Sequence, residues 1–196
     1  MDIVDVRKVE SADQARAVSV QVMAFGSDPV MRWLYPEPHA YLQHFPAFVR
    51  AYGGRAFEHG TAYVDGEFGG VSLWLPVDVH VDPGPFEALI RKTVKPPVQD
   101  ELFSILEQMD DYHIKEPHWY LAIIGVDPAH QSKGIGSALL RHSLEPIDVQ
   151  GLPAYLESSN PANVSLYERH GFELLGEIRA GSSPPVFPML RTPRKA

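Results

Sequence analysis

Apolar residues change period several times along this chain, and each change marks an element. Residues 3–9 read as a first strand. Behind Ser11-x-x-Gln14, which has the form of a capping box, Ala15, Val18, Val22 and Phe25 recur at helical spacing and predict a helix with that core face. Helical periodicity continues to about Phe57. Residues 61–64 and 68–75 then flank Asp65-Gly66, a hairpin signal, and Pro76 stops the second run. Residues 118–126 are almost continuously apolar, rich in aromatic and β-branched types, and end at Asp127-Pro128. Ile135, Leu139, Leu140 and Leu144 return to helical spacing, with Pro146 expected to end or kink that helix. A strand over 154–157, a helix carrying Asn163, a strand over 172–178 and a last strand over 186–190 complete the pattern.

The stretch 77–117 is punctuated by Pro83, Pro85, Pro96, Pro97 and Pro117, yet 86–93 and 102–112 keep a helical period. Leu102, Ile105, Leu106 and Met109 form an apolar stripe that needs burial. The chain is too short for two comparable cores around it. The expectation is therefore one domain, 1–196, in which 77–117 is a helical insertion. No internal repeat is visible.

Composition narrows the chemistry. With 196 residues, 44% of them hydrophobic and 21% charged, the chain has an ordinary globular makeup. It has no cysteine, which excludes disulfides, thiolate metal sites and a cysteine nucleophile together. A net charge of −8 argues against nucleic acid as a partner, and Arg191, Arg194 and Lys195 make too short a basic tail to offset it. The nine histidines lack ligand spacing, so no metal is expected. No apolar stretch reaches membrane-spanning length, and the start of the chain has neither a basic leader nor a hydrophobic signal core, so a cytoplasmic protein is expected.

Candidate chemistry lies between the apolar strand and the helix after it, in Gln131-Ser132-Lys133-Gly134-Ile135-Gly136-Ser137. Glycines let a main chain approach an anion closely, and the first amides of a helix point outward unpaired. A phosphorylated ligand follows. A dinucleotide fingerprint would need a third glycine where Leu139 stands, and a P-loop would need the lysine after the glycine, whereas Lys133 precedes Gly134. The remaining pattern, Gln131-x-x-Gly134-x-Gly136, resembles the acetyl-CoA loop of the GNAT superfamily of N-acetyltransferases. A second segment, from Pro161 through Asn163 and Tyr167 to Gly171 and Phe172, resembles the part of that superfamily that carries its pantetheine contact and catalytic tyrosine. Asn163 and Tyr167 share one helix face by spacing alone, and Gly171 suits the left-handed residue that ends such a helix.

The resemblance implies a mixed, mostly antiparallel α/β sheet of about seven strands with helices on both faces, and acetyl-CoA as co-substrate. It implies that the strand ending at Val126 and the strand of Leu156 splay, so that Ile124, Gly125 and Val126 line the pantetheine arm while 131–137 hold the pyrophosphate. Lys133 and Arg141 are further candidates for the phosphates. Finer similarity, dense from Glu116 to Ile178, is to puromycin N-acetyltransferase and its relatives. The acceptor regions align only in outline, so puromycin itself is not implied.

Direct transfer of an acetyl group to a primary amine of a small molecule, antibiotic-like or an amino metabolite, is the function this implies. Tyr167 is the candidate general acid, or else packs on the pantetheine. Glu157, with Tyr155 on the same side of its strand, is the first candidate base. It serves equally as a carboxylate that binds a cationic acceptor or caps the 158–160 turn, with His118 a distant second base. Trp33, Tyr35, Tyr41 and Trp74 are candidate walls of an aromatic acceptor pocket, or else core. An acyl-CoA-binding sensor without catalysis, and an acetyltransferase for protein N-termini or lysines, are the alternatives. Acceptor identity, acyl-chain length and the choice between monomer and homodimer are not written in residue types.

Overall fold

The structure is a computed structural model and describes residues 4–194. Seven strands form one sheet in the order β1-β2-β3-β4-β5-β7-β6. They are β1 (Val6–Lys8), β2 (Ala62–Asp65), β3 (Gly70–Leu75), β4 (Trp119–Val126), β5 (Ala154–Ser158), β6 (Glu173–Leu174) and β7 (Phe187–Arg191). Every pairing is antiparallel except β4 with β5. This is the mixed α/β fold with a mostly antiparallel seven-stranded sheet expected above.

Two apolar clusters sandwich the sheet. One collects helices α1 (Gln14–Ala24), α2 (Pro29–Leu34), α3 (Pro38–Gly53), α4 (Arg55–Glu58), α5 (Pro83–Thr93) and α6 (Pro96–Tyr112). The other is built on α7 (Ile135–Val149) and α8 (Val164–Arg169). Helix starts follow local chemistry. Asp28 accepts from the amides of Val30 and Met31, with Pro29 at the first helical position, and Asp82 with Pro83 repeats the arrangement on α5.

Several expectations about elements need correction. Ser11 caps nothing: residues Ser11–Asp13 form a 3₁₀ turn, and α1 begins at Gln14 with no side-chain cap. The buried face of α1 is Ala17, Val18, Val20 and Gln21, while Ala15 is exposed, because Gln21 reaches across to donate to the Val71 carbonyl at 2.9 Å and sets the helix rotation. The hairpin loop spans 66–69 rather than 65–67, since the buried Asp65 carboxylate gathers the amides of Glu67 and Gly70. Residues 172–178 form only the short β6 and one bridge from Ile178 to Val186. Pro146 does not end α7, which continues to Val149. The Ile3 end of the first predicted strand lies outside the described residues.

Two irregularities of β4 shape the rest of the molecule. Against β3 its register runs Ile123 with Leu73 and then Leu121 with Trp74, so Ala122 is an extra residue, a bulge. The bulge flips the alternation. Tyr120 and Ile123 both enter the α1 cluster, whereas Leu121 enters the α7 cluster, with Ile124 and Val126 packed against it. Against β5, only Trp119 with Ala154 and Tyr120 with Tyr155 are paired. Beyond them the strands part, and β5 pairs with β7 over its whole length, so the second edge of β4 over 121–126 has no strand partner.

Arg191, 2% exposed, locks the far side of that opening. It forms a bidentate pair with Asp148 at 2.7 and 2.7 Å and donates to the His170 carbonyl at the end of α8. Gly125 lets α1 approach β4, since a Cβ there would stand 2.5 Å from Gln21 Oε1 and 2.6 Å from Ala24 Cβ. Gly125→Val should therefore cost about 1–3 kcal/mol through overpacking, read as a lower denaturation midpoint in urea. An unchanged midpoint would contradict this packing account.

Candidate active site

The gap between β4 and β5 is a wedge whose walls include Ile124, Leu156, Ser158, Asn163 and Tyr167. Four of the sequence candidates, Ile124, Glu157, Asn163 and Tyr167, thus meet at one place from β4, β5, α8 and the 3₁₀ turn Pro161–Asn163 that leads into α8, whereas the spacing predicts Asn163 in the helix itself. Val126 lies on the same side of β4 as Ile124. Gly125 turns to the other face toward α1, so its glycine is accounted for by helix packing, and only its backbone belongs to the strand edge.

Beyond the wedge, the loop 131–134 delivers the start of α7. Ser132 and Gly134 both have positive φ, 63° and 82°, which turns the chain sharply into the helix. No side chain caps α7, whose first amides stay at an exposed end. Gln131 donates to the Val126 carbonyl and pins the loop to the strand. The Ile135 side chain is buried among the α7 cluster, so only its amide faces outward. Ser137 Oγ pairs with His170 Nε2 at 2.8 Å. Lys133 and Arg141 are exposed. A Cβ on Gly136 would meet only Leu166 and Val126 at ordinary contact distances, 3.5 and 3.6 Å, so the protein's own packing does not require glycine there. An uncapped helix start behind a left-handed glycine, beside an unpartnered strand edge, fits a pyrophosphate followed by a pantetheine arm.

Tyr167 is 5% exposed and packs edge-on against Phe172. Burial first, and then the charge of Asp28, push its phenol well above the usual range, so it remains a neutral donor. Asp28 is itself buried. Its second oxygen accepts from Ser159 Oγ at 2.6 Å, tying the start of α2 to the turn after β5, and burial pushes its carboxyl up.

Glu157 stands where the wedge meets a second cavity of about 550 Å³, and it lines both. Its side chain is 3% exposed. Tyr120 donates to Oε2 at 2.7 Å, and Tyr52 pairs with the Tyr120 oxygen at 2.6 Å; because Tyr120 gives its proton to the carboxylate, Tyr52 must be the donor there. Burial and the Glu157 charge raise the Tyr120 and Tyr52 phenols. Glu157 Oε1 and the Tyr155 hydroxyl are both buried and neither makes a hydrogen bond of good geometry; burial, and then the adjacent Glu157, raise the Tyr155 phenol, and His113 Nδ1 lies 3.8 Å from Oε1. The cavity adds Val79, Phe86, Leu106 and Met109 as apolar walls, with Asp78, Asp110 and Glu116 as further carboxylates.

The aromatic candidates for that cavity need correction. Trp74 is 0% exposed inside the α7 cluster, on the opposite face of the sheet. Tyr35 and Tyr41 are buried in the α1 cluster, where Tyr35 pairs with Thr93 and Tyr41 donates to the Val22 carbonyl. Trp33 packs on the same cluster and donates to Ser182. None of these four lines either cavity. Tyr155 is fully buried behind His113, with ring centroids 4.7 Å apart. Sequence reasoning missed Tyr52, Tyr120, His113 and Asp28. Only Asp28 carried a signal, the Asp-Pro start of a helix. Among the described residues no group of three or more His, Cys, Asp or Glu is arranged to hold a metal ion, and no helix is long and apolar enough to cross a membrane.

Known proteins match this arrangement. The model of the acetyltransferase (GNAT) family matches residues 98–172, which contain β4, the glycine loop, α7, β5 and α8. An uncharacterized N-acetyltransferase of Schizosaccharomyces pombe is 28% identical over 217 residues, covering 95% of this chain and 83% of that protein. A mycothiol acetyltransferase of Streptomyces avermitilis is 40% identical over 63 residues; the match covers 31% of this chain and 20% of that protein's length. A solved structure from Corynebacterium glutamicum, described as histone acetyltransferase HPA2 and related acetyltransferase, superposes with a TM-score of 0.69 at 26% identity, covering 100% of this chain and 99% of that one. The splayed sheet, the glycine loop and the family match over residues 98–172 together support a GNAT-type N-acetyltransferase.

Proposed function

We propose that the protein moves an acetyl group from acetyl-CoA directly to a primary amine of a small molecule, within a ternary complex. The observation that carries this reading is the meeting of the two cavities at Glu157 and Tyr120. One is shaped like a cofactor wedge, the other like a site for a separate molecule of modest size. With no cysteine in the chain, no thiol can take the acetyl group on the way. On this reading 77–117, with α5 and α6, is an insertion that walls the acceptor cavity within one domain, 1–196.

Carboxylates on that wall, Asp78, Asp110, Glu116 and Glu157, favour an acceptor that arrives as an ammonium ion. Val79, Phe86, Leu106 and Met109 favour an apolar body behind it. The resemblance of residues 116–178 to puromycin N-acetyltransferase and its relatives makes aminonucleosides one class to test. A long protein segment would need an open groove, and helices on several sides of this cavity disfavour one.

An alkyl ammonium has a reference pKa near ~10.4 and cannot attack until a proton leaves. Glu157 is positioned to take it, with Tyr120 holding the other carboxylate oxygen. A backbone N–H near Ile124, on the unpartnered edge of β4, supports the oxyanion. Tyr167 is the general acid. Because burial raises its phenol, it keeps its proton as a donor until charge develops on the departing sulfur.

The reading is tested by release of free CoA thiol from acetyl-CoA across aminonucleosides, arylalkylamines, polyamines, aminoglycosides and a histone-tail peptide. Turnover confined to small amines is expected. Turnover of the peptide alone would overturn the acceptor assignment. Gly136→Ala should leave stability unchanged or raised by up to about 1 kcal/mol, since alanine favours a helix. The same change should weaken acetyl-CoA binding at least about tenfold, seen by calorimetry, by filling the space an anion needs. Tyr167→Phe should lower kcat by about 10–100-fold with little change in KM for acetyl-CoA. For Glu157→Gln, a kcat loss that alkaline pH restores is expected; a rise in acceptor KM alone would make Glu157 a binding residue.

A further inference from the structure

We infer that His113 and His118 form a proton exit from Glu157 to solvent, a relay for the acetyl transfer proposed above. The inference rests on Glu157 acting as the base. It is argued from three contacts in a row.

His118 Nδ1 lies 2.7 Å from the Glu116 carbonyl, which only accepts, so the hydrogen-bond network assigns a proton to Nδ1. Burial first, and the neighbouring His113, hold His118 below the usual histidine range, so it is neutral at neutral pH and its Nε2 is bare. That nitrogen lies 2.9 Å from His113 Nε2, which must therefore donate. In the neutral ring His113 Nδ1 is then the bare nitrogen, and it is the atom 3.8 Å from Glu157 Oε1. Oε1 is the buried oxygen without a well-formed hydrogen bond, with Tyr155 the phenol beside Glu157, while Oε2 is held by Tyr120. A small rotation of the His113 ring closes this gap, as catalytic contacts tighten when substrate binds.

Packing alone explains less. His113 does sit against Tyr155 and Tyr120, with ring centroids at 4.7 and 5.4 Å. Stacking does not require two imidazoles joined nitrogen to nitrogen, nor a bare nitrogen turned toward an unpartnered carboxylate oxygen. The titratable groups around the pair are Asp78 and His80 after β3, Asp110 of α6, Lys115, Glu116, Tyr120 of β4 and Glu157 of β5. All of them border the acceptor cavity, where a released proton meets water.

The proton count calls for such an exit. As the N–C bond forms and the C–S bond breaks, an alkyl ammonium sheds two protons in becoming an amide. The sulfur takes one, and one must leave the protein. Glu157 takes the outgoing proton on Oε1 and hands it to His113 Nδ1. The Nε2 proton of His113 passes to His118 Nε2, and the Nδ1 proton of His118 leaves for solvent. Proton exchange with water then restores the starting tautomers: His113 Nδ1 loses a proton, His113 Nε2 regains one from His118 Nε2, and His118 Nδ1 takes one up.

The test uses the fastest amine of the acceptor panel with saturating acetyl-CoA, on His113→Gln and His118→Phe. In dilute buffer at about pH 7, kcat should fall about tenfold or more, acceptor KM should change less than about twofold, and added imidazole should restore most of the rate. An unchanged kcat, or a loss that imidazole does not restore, overturns the relay. A slow, alkali-restored Glu157→Gln enzyme shows in that case that the base assignment stands without it. If Glu157→Gln is as fast as wild type, the base assignment fails and takes the relay with it. Nitrogen NMR of histidine-labelled protein reads the tautomers without any acceptor. Protons on His118 Nδ1 and His113 Nε2 are expected, and the opposite tautomer of either ring overturns the inference.

Discussion

Strand β4 is bonded to β3 along its length but to β5 only through Trp119 and Tyr120, and the functional architecture depends on that asymmetry. A strand edge inside a protein leaves amides and carbonyls unsatisfied unless something pairs with them. Here Arg191 and β7 hold β5 away from β4, while the bulge at Ala122 sends Tyr120 and Ile124 to opposite faces. One strand therefore supplies a group beneath the second cavity and a wall of the wedge within five residues. The backbone that cannot pair within the sheet is the backbone a pantetheine arm would pair with.

Where the two cavities meet, charge is arranged sparingly. One carboxylate, Glu157, is buried among Tyr52, Tyr120 and Tyr155, whose phenols are raised by burial and by that same charge. Phenols held neutral donate without competing for the proton, and a buried carboxylate with one free oxygen is a strong acceptor. Tyr167, raised by its own burial, stands across the wedge as another neutral donor. On the proposed reading these environments set a neutral donor, Tyr167, apart from a carboxylate acceptor, Glu157.

Much of this was legible in residue order, and the remainder was lost for identifiable reasons. Gly134 and Gly171 were readable because left-handed backbone has few residue choices, and both have positive φ. The strand before the glycine loop was readable because it is long and apolar; its bulge was not, since an extra residue in a run apolar on both faces disturbs no alternation. Trp74 and Tyr35 misled because an aromatic side chain suits a pocket and a core equally, and both were taken by the core. The Tyr52, Tyr120 and Glu157 chain joins α3, β4 and β5 across 68 and 37 positions. His113 joins it from the end of α6. No local period records contacts of that range. Asp28 was hidden differently: its cap was visible, but its bond to Ser159 exists only once the β5 turn is in place.

The central claim is that the β4–β5 wedge carries the thioester to the junction with the acceptor cavity. A crystal structure of the acetyl-CoA complex tests it most directly. The account predicts the pantetheine bonded to the backbone of β4 over 121–126, the pyrophosphate on the amides of 134–137, and the sulfur within about 3.5–4 Å of the Tyr167 hydroxyl. Acetyl-CoA bound outside the wedge, or a thioester out of reach of both Tyr167 and Glu157, would contradict it.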